Sequence, residues 1–185
     1  MTIYTREALA ANRPTPMPGM YDPLTALYNK TLFIQVMESL LRISVRQHMP
    51  VTLVIASIDN YSGMACKYSE DDIDDMVRES ADLIKAVSRD SDVLGHIETD
   101  QFALLLYNCD CKSSAIAIER LSNQVEESVI IGDEKITLNF GTATFGESHN
   151  AGRGQSVSAI ADYLMTNALE SLKNGGTSEP KIRHI

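Results

Sequence analysis

The feature that most constrains this chain is the stretch from Val93 to Tyr107, which reads as two apolar strands joined by a short polar turn. Val93, Leu94 and Ile97 form the first arm, and the second runs from Phe102 to Tyr107 with scarcely a polar residue. Between them lies Glu98-Thr99-Asp100-Gln101. Polar residues at a hairpin tip between two buried arms are a common place for a functional site. Just upstream stands Arg89-Asp90-Ser91-Asp92, four residues with three charges.

Around this hairpin the hydrophobic period alternates between helix and strand. Tyr21 to Asn29 is a turn leading into a helix that Asn29 can cap, with Leu32, Phe33, Val36, Met37, Leu40 and Leu41 on one stripe. Pro50 closes that helix. Val51 to Ile58 is apolar and β-branched, hence a buried strand, and Asp59-Asn60-Tyr61-Ser62-Gly63 breaks it. A second helix covers 70–88, its apolar face Ile73, Met76, Val77, Leu83, Ile84 and Val87. Its first turns carry Glu70, Asp71, Asp72, Asp74 and Asp75, a placement that complements the helix macrodipole. A third helix spans 113–128 with Ala115, Ile116, Ile118, Leu121 and Val125 inward. Gly132-Asp133 marks a turn before a strand over 135–145, and Gly152-Arg153-Gly154 is a flexible loop. A last helix over 156–173 ends at Asn174-Gly175-Gly176, and 181–185 suits a short edge strand. This order predicts one α+β domain over 21–185, a largely antiparallel sheet covered by helices. Residues 1–20, with Pro14, Pro16 and Pro18, read as a disordered lead-in, a linker from a longer protein or an extended docking arm.

Composition narrows the function. The net charge of −9 argues against nucleic acid or an acidic membrane surface as the main partner. No stretch has the basic-then-apolar order of a signal peptide, and none is long and apolar enough to insert into a bilayer. Cys66, Cys109 and Cys111 cannot all pair within one chain, and read as reduced thiols of a cytoplasmic protein. Cys109 and Cys111 have no matching Cys or His pair at ligand spacing, so neither a metal nor any other cofactor is expected.

Five segments, in order, carry a resemblance to a known family. Asp22-Pro-Leu-Thr-Ala-Leu-Tyr-Asn-Lys30 resembles the D-x-L-T-G-L-x-N-R opening of GGDEF domains, the diguanylate cyclases. Ile55-Ala-Ser-Ile-Asp59 stands where that family has its D-I-D strand end, and Glu98-Thr-Asp-Gln-Phe102 where it has G-G-D-E-F. Ile136-Thr-Leu-Asn-Phe-Gly141 resembles its T-x-S-x-G strand, and Ala161-Asp162 the start of its last helix. The resemblance runs over 21–176 and implies a nucleotide-cyclase-like palm, a five-stranded, mainly antiparallel sheet wrapped by helices.

The same resemblance implies what the site should hold. Active members join two GTP molecules with the help of divalent metal, which needs converging hard oxygen ligands. The metal-binding Asp and Glu of the family fall on Ser57 and Gln101, a neutral hydroxyl and a neutral amide. The two glycines that let the nucleotide approach fall on Glu98 and Thr99. A lysine and a guanine-contacting Asn of the family fall on Ser62 and Ala65. Asp59, Asp100 and Phe102 match; Asp74 falls on a guanine-contacting Asp and Lys173 on a phosphate-contacting position. The expectation is a domain without cyclase activity. Arg89-x-x-Asp92, six residues before Glu98, matches the R-x-x-D inhibitory site at which many members bind cyclic di-GMP, and Arg120 aligns with a further arginine of that site. Arg and Asp suit guanine and phosphate by bidentate pairing. The expected partner is therefore cyclic di-GMP, in a receptor or signalling role with a protein partner downstream; the alternative is a protein-interaction scaffold without nucleotide.

Overall fold

Local capping sets the helix starts. Asn29, in extended conformation, accepts a hydrogen bond from the Leu32 N–H, and α1 runs from there over Lys30–Gln47. Its buried residues Phe33, Met37, Leu41 and Ser44 recur at helical spacing and face the sheet. Ser69 caps α3 (Glu70–Val87) by accepting from the Asp72 N–H. Asp110 caps α4 (Cys111–Ser128) by accepting from the Ser113 N–H. That cap moves the start of α4 two residues upstream of the sequence expectation. The computed structural model describes residues 19–146 and 155–175. The expected arm over 1–20, apart from its last two residues, the loop Gly152–Gly154 and the strand over 181–185 lie outside the described residues.

Five strands form one sheet in the order β1-β3-β4-β2-β7. They are β1 (Tyr28–Asn29), β2 (Val51–Ile58), β3 (Val93–Glu98), β4 (Gln101–Tyr107) and β7 (Leu138–Phe145). Only β1 pairs parallel, with β3; the other pairs are antiparallel. Two further strands, β5 (Ile130–Ile131) and β6 (Glu134–Lys135), make a small separate hairpin. The strand expected over 135–145 is thus two pieces, because Gly132 turns the chain at φ 58° and spends Lys135 on that hairpin.

The central hairpin is present with a tighter tip than its sequence suggests. Glu98 and Gln101 pair with each other as strand residues, leaving Thr99 and Asp100 as the turn, with a bulge between His96 and Glu98. A second difference is α2 (Tyr61–Lys67), about two helical turns where the sequence reads only as a strand break.

Helices cover both faces. On one, α3 and α4 pack Met76, Ile84 and Leu121 on Val54, Phe102 and Leu104. On the other, α1 and α5 (Val157–Gly175) pack Phe33, Met37 and Leu164 on Leu53, Ile55 and Leu105. Contact there is close: a Cβ added to Gly141 of β7 would lie 2.1 Å from the Ala168 carbonyl oxygen of α5. The sequence placed Ile116 in the core. It is 70% exposed, because it lies about 200° around α4 from Ile118, on the side away from the buried Cys111, Ser114, Ile118, Leu121 and Val125; Ala115 is half-buried.

Candidate functional sites on opposite faces of the sheet

Strand register aligns one row of polar residues. Glu98 pairs with Gln101, Gln101 with Ser57, and Ser57 with Asn139, so four neighbouring strands each contribute one residue. Side chains directly opposite in a sheet share a face. Here it is the α1/α5 face, because Gln101 and Ser57 are in phase with Ala103, Leu105, Leu53 and Ile55.

Internal contacts occupy this row. The Ser57 hydroxyl donates to Asp100 Oδ2 at 2.8 Å. The Asp59 carboxylate accepts from Asn139 Nδ2 at 3.1 Å and from Thr137 Oγ1 at 3.4 Å. Lys30, at the start of α1, pairs with Glu98 at 2.5 Å, both side chains half exposed. Backbone bonds from Ile58 N–H to the Asp100 carbonyl and from Asp59 N–H to the Thr137 carbonyl hold the tip against the strand end. Asp74 lies apart on α3, paired with Arg78 at 3.3 Å. Tyr61 senses both acids: burial, then the charges of Asp74 and Asp100, push its hydroxyl above its ordinary value. Thr99 points to solvent, as do Ser62 and Ala65 on α2 and Lys173 on α5.

A divalent ion asks for several carboxylate oxygens converging on one point. This row and the acids beside it offer one hydroxyl, two amides and three carboxylates, and Glu98, Asp59 and Asp100 are each already held by a protein donor. No group of three or more His, Cys, Asp or Glu that could hold an ion occurs among the described residues. The donor set does not suit such an ion.

The second candidate lies on the α3/α4 face, toward the other end of the hairpin. Six residues of extended chain separate Asp92 from Glu98, about 20 Å at the usual strand rise. Here Arg89, Asp92 and Arg120 line one cavity of about 190 Å³. Its floor is apolar, from Val54 and Leu104 of the sheet and Leu121 of α4, while Ser113 and Ile116 stand with the charged groups at its edge. The turn after α3 is self-bracing: Arg89 N–H donates to Asp92 Oδ2 at 2.9 Å, and Asp92 N–H donates to the Arg89 carbonyl at 3.0 Å. Arg120 Nη2 donates to the Val87 carbonyl at 2.5 Å and ties α4 to the end of α3. Among the described residues nothing holds the Arg89 guanidinium by hydrogen bond or ion pair. Cys109 also borders the cavity, but burial pushes its thiol up to about 11, which keeps it protonated and unreactive at neutral pH.

Sequence reasoning therefore named the three charged groups of the pocket and the acids of the row. It missed Lys30, Asn139 and Ile116 as members of either place. The pairing of Ser57 with Asn139 comes from register, for which a single sequence carries only the alternating pattern of β7.

The architecture is that of a nucleotide-cyclase-like palm, an α+β domain with a mixed five-stranded sheet between two helical layers. The diguanylate cyclase GGDEF domain profile matches residues 19–175, and the chain belongs to that family. A curated relative, YhcK of Bacillus subtilis, is 26% identical over 159 residues, covering 83% of this chain and 44% of the relative. The probable diguanylate cyclase DgcT of Escherichia coli is 24% identical over 192 residues, all of this chain and 40% of DgcT. The chain thus spans less than half the length of these relatives. Among solved structures, the GGDEF domain of DgcB from Caulobacter crescentus in complex with c-di-GMP superposes with a TM-score of 0.76. It is 18% identical, and the match covers 91% of this chain and 98% of that one.

Proposed function

We propose that this GGDEF domain makes no cyclic di-GMP and instead binds it, serving as a receptor module through Arg89, Asp92 and Arg120. The observation that carries the reading is the convergence of these three side chains on one cavity of about 190 Å³, large enough to seat a purine. Their chemistry is complementary to a guanine nucleotide. An aspartate can accept from two neighbouring guanine N–H groups, and arginines can donate to ring acceptors or phosphate in bidentate fashion. Asp92 is held in place by the Arg89 N–H, so little ordering of that carboxylate remains for binding to supply.

Loss of catalysis follows from the row on the other face. Ser57 and Gln101 bring no charge to a metal, and the Ser57 hydroxyl ties up the retained Asp100. Glu98 adds a negative side chain where the family resemblance expects glycine beside phosphate, and Lys30 neutralises it internally. One structural neighbour, the GGDEF domain of DgcB, holds c-di-GMP in its crystal structure, which supports the same ligand chemistry.

Calorimetric titration with cyclic di-GMP tests the reading. Saturable binding is expected, lost in Arg89→Ala and with weaker preference over cyclic di-AMP in Asp92→Ala. Absence of heat with ligand in the tens of micromolar range overturns it and favours a nucleotide-free interaction module. Binding that survives both substitutions overturns the assignment of the site.

A further inference from the structure

Building on this assignment of the pocket to a guanine nucleotide, we propose that Ile116 is a binding residue: its side chain forms an apolar wall against which the face of one guanine ring lies, while Arg89 and Asp92 take the ring edge and phosphate. Three exposed large apolar residues occur among the described ones, Met20, Ile116 and Ile130, and Ile116 is the most exposed at 70%. A single exposed isoleucine needs no explanation. Ile116 differs from the other two because it lines the charged cavity, and neither Met20 nor Ile130 does.

Its placement is set by α4. Four residues, one helical turn, separate Ile116 from Arg120, so the two share a face and stand one above the other. Ile118 and Leu121, on the other side of α4, take the core positions instead. An apolar side chain on the same wall as an arginine creates two unlike contacts: one for a charged or hydrogen-bonding edge, one for a flat apolar face. A purine nucleotide has both. Ligand sites are commonly of this kind, mostly apolar with a few placed polar groups. The floor of Val54 and Leu104 continues the apolar surface inward, so a ring entering beside Ile116 meets carbon below and charge at the edge.

Covering Ile116 removes apolar surface from water on binding. Recognition then has a component that salt does not screen and that produces a negative heat-capacity change. Because Ile116 is exposed, its replacement leaves the core intact, and a lost affinity is not a folding defect.

The test is calorimetric titration of cyclic di-GMP at several temperatures into the wild type, Ile116→Ala, Ile116→Leu and Arg89→Ala, with thermal melts as the control for folding. Ile116→Ala should bind about tenfold more weakly, the loss expected for uncovering most of an aliphatic side chain. Its heat-capacity change should be less negative, while Ile116→Leu stays near the wild type. If Ile116→Ala binds within about twofold of the wild type, as a surface change remote from the ligand would, and Arg89→Ala abolishes binding, the proposal falls and the receptor reading stands. If the wild type gives no heat, both fall together.

Discussion

Ala26 has a left-handed backbone, with φ of 56°, in the turn before α1. A Cβ is disfavoured there and glycine is not. The family's opening motif has glycine at this position. Ala26→Gly should therefore stabilise the domain by about 1 kcal/mol, despite the greater freedom glycine has when unfolded. In a thermal melt that corresponds to a rise of about 3 °C; an unchanged or lower Tm would show that the turn relaxes around alanine at no cost. Asp22, in the same turn, accepts from the Thr25 N–H and hydroxyl, both at 2.8 Å, and faces His96 Nδ1 at 2.9 Å. Burial pushes its carboxyl up, but hydrogen bonds from His96 and Thr25 outweigh this and hold it below its ordinary value of 3.8. A folded-state value below the unfolded one means that the charged form favours the fold. That stability is fully present above the unfolded value and disappears as pH falls through the folded one. Asp22→Asn should cost about 2 kcal/mol at pH 7 in urea denaturation, as for a hydrogen bond to a charged group. The difference from wild type should hold down to about pH 4 and narrow below it. A gap that widens in acid would contradict this account of the turn.

Elements rather than residues decide which groups meet. Arg120 has two duties in this fold: it borders the pocket, and it donates to the Val87 carbonyl at the end of α3. A carbonyl in the last turn of a helix has no partner within the helix, and a cation there also favours the macrodipole. Arg120→Ala should destabilise the domain by about 1 kcal/mol without any ligand present. Arg120→Lys keeps the charge and should recover part of that loss, while restoring little of any bidentate ligand contact. Equal melting temperatures for wild type and Arg120→Ala would limit Arg120 to the ligand. The elements also show what a sequence can and cannot disclose. Stripes such as Phe33-Met37-Leu41 and the apolar run of β4 have one physical meaning each, and both appear in the fold. α2 was invisible because it begins at Asn60 in left-handed conformation with no side-chain cap, inside a run that reads as turn residues. Ile116 was misplaced because it was grouped with Ile118, Leu121 and Val125, although two residues before Ile118 it lies about 200° around the helix from it. The charged trio of the pocket was legible only through the spacing of Arg89 and Asp92 and through family resemblance; its closeness to α4 depends on tertiary packing.

At the scale of the whole molecule, the two candidate sites are on opposite faces of one sheet and about 20 Å apart along the hairpin. No side chain is shared: the polar row belongs to the α1/α5 side, and the cavity borders Val54, Leu104 and Leu121 on the α3/α4 side. Substitutions at such a distance, with no common partner, act independently. This gives a way to test the proposed absence of chemistry separately from the proposed binding. Incubated with GTP and Mg²⁺ or Mn²⁺, the protein should form no cyclic di-GMP above a no-protein control. Returning the charges with Ser57→Asp and Gln101→Glu together should still give none. Glu98 remains beside the tip on its ion pair with Lys30, and Thr99 keeps its side chain where the resemblance places the second glycine. The double substitution puts a new carboxylate next to Asp100, which Ser57 now satisfies with a hydrogen bond, so the variant should also melt at a lower temperature. Its calorimetric affinity for cyclic di-GMP, however, should equal that of the wild type. Product that depends on the unsubstituted protein and vanishes in Asp100→Ala would show that the row still catalyses. An altered affinity in the double variant would mean that the two faces communicate through β4, the strand that carries Gln101 to one side and Leu104 to the other.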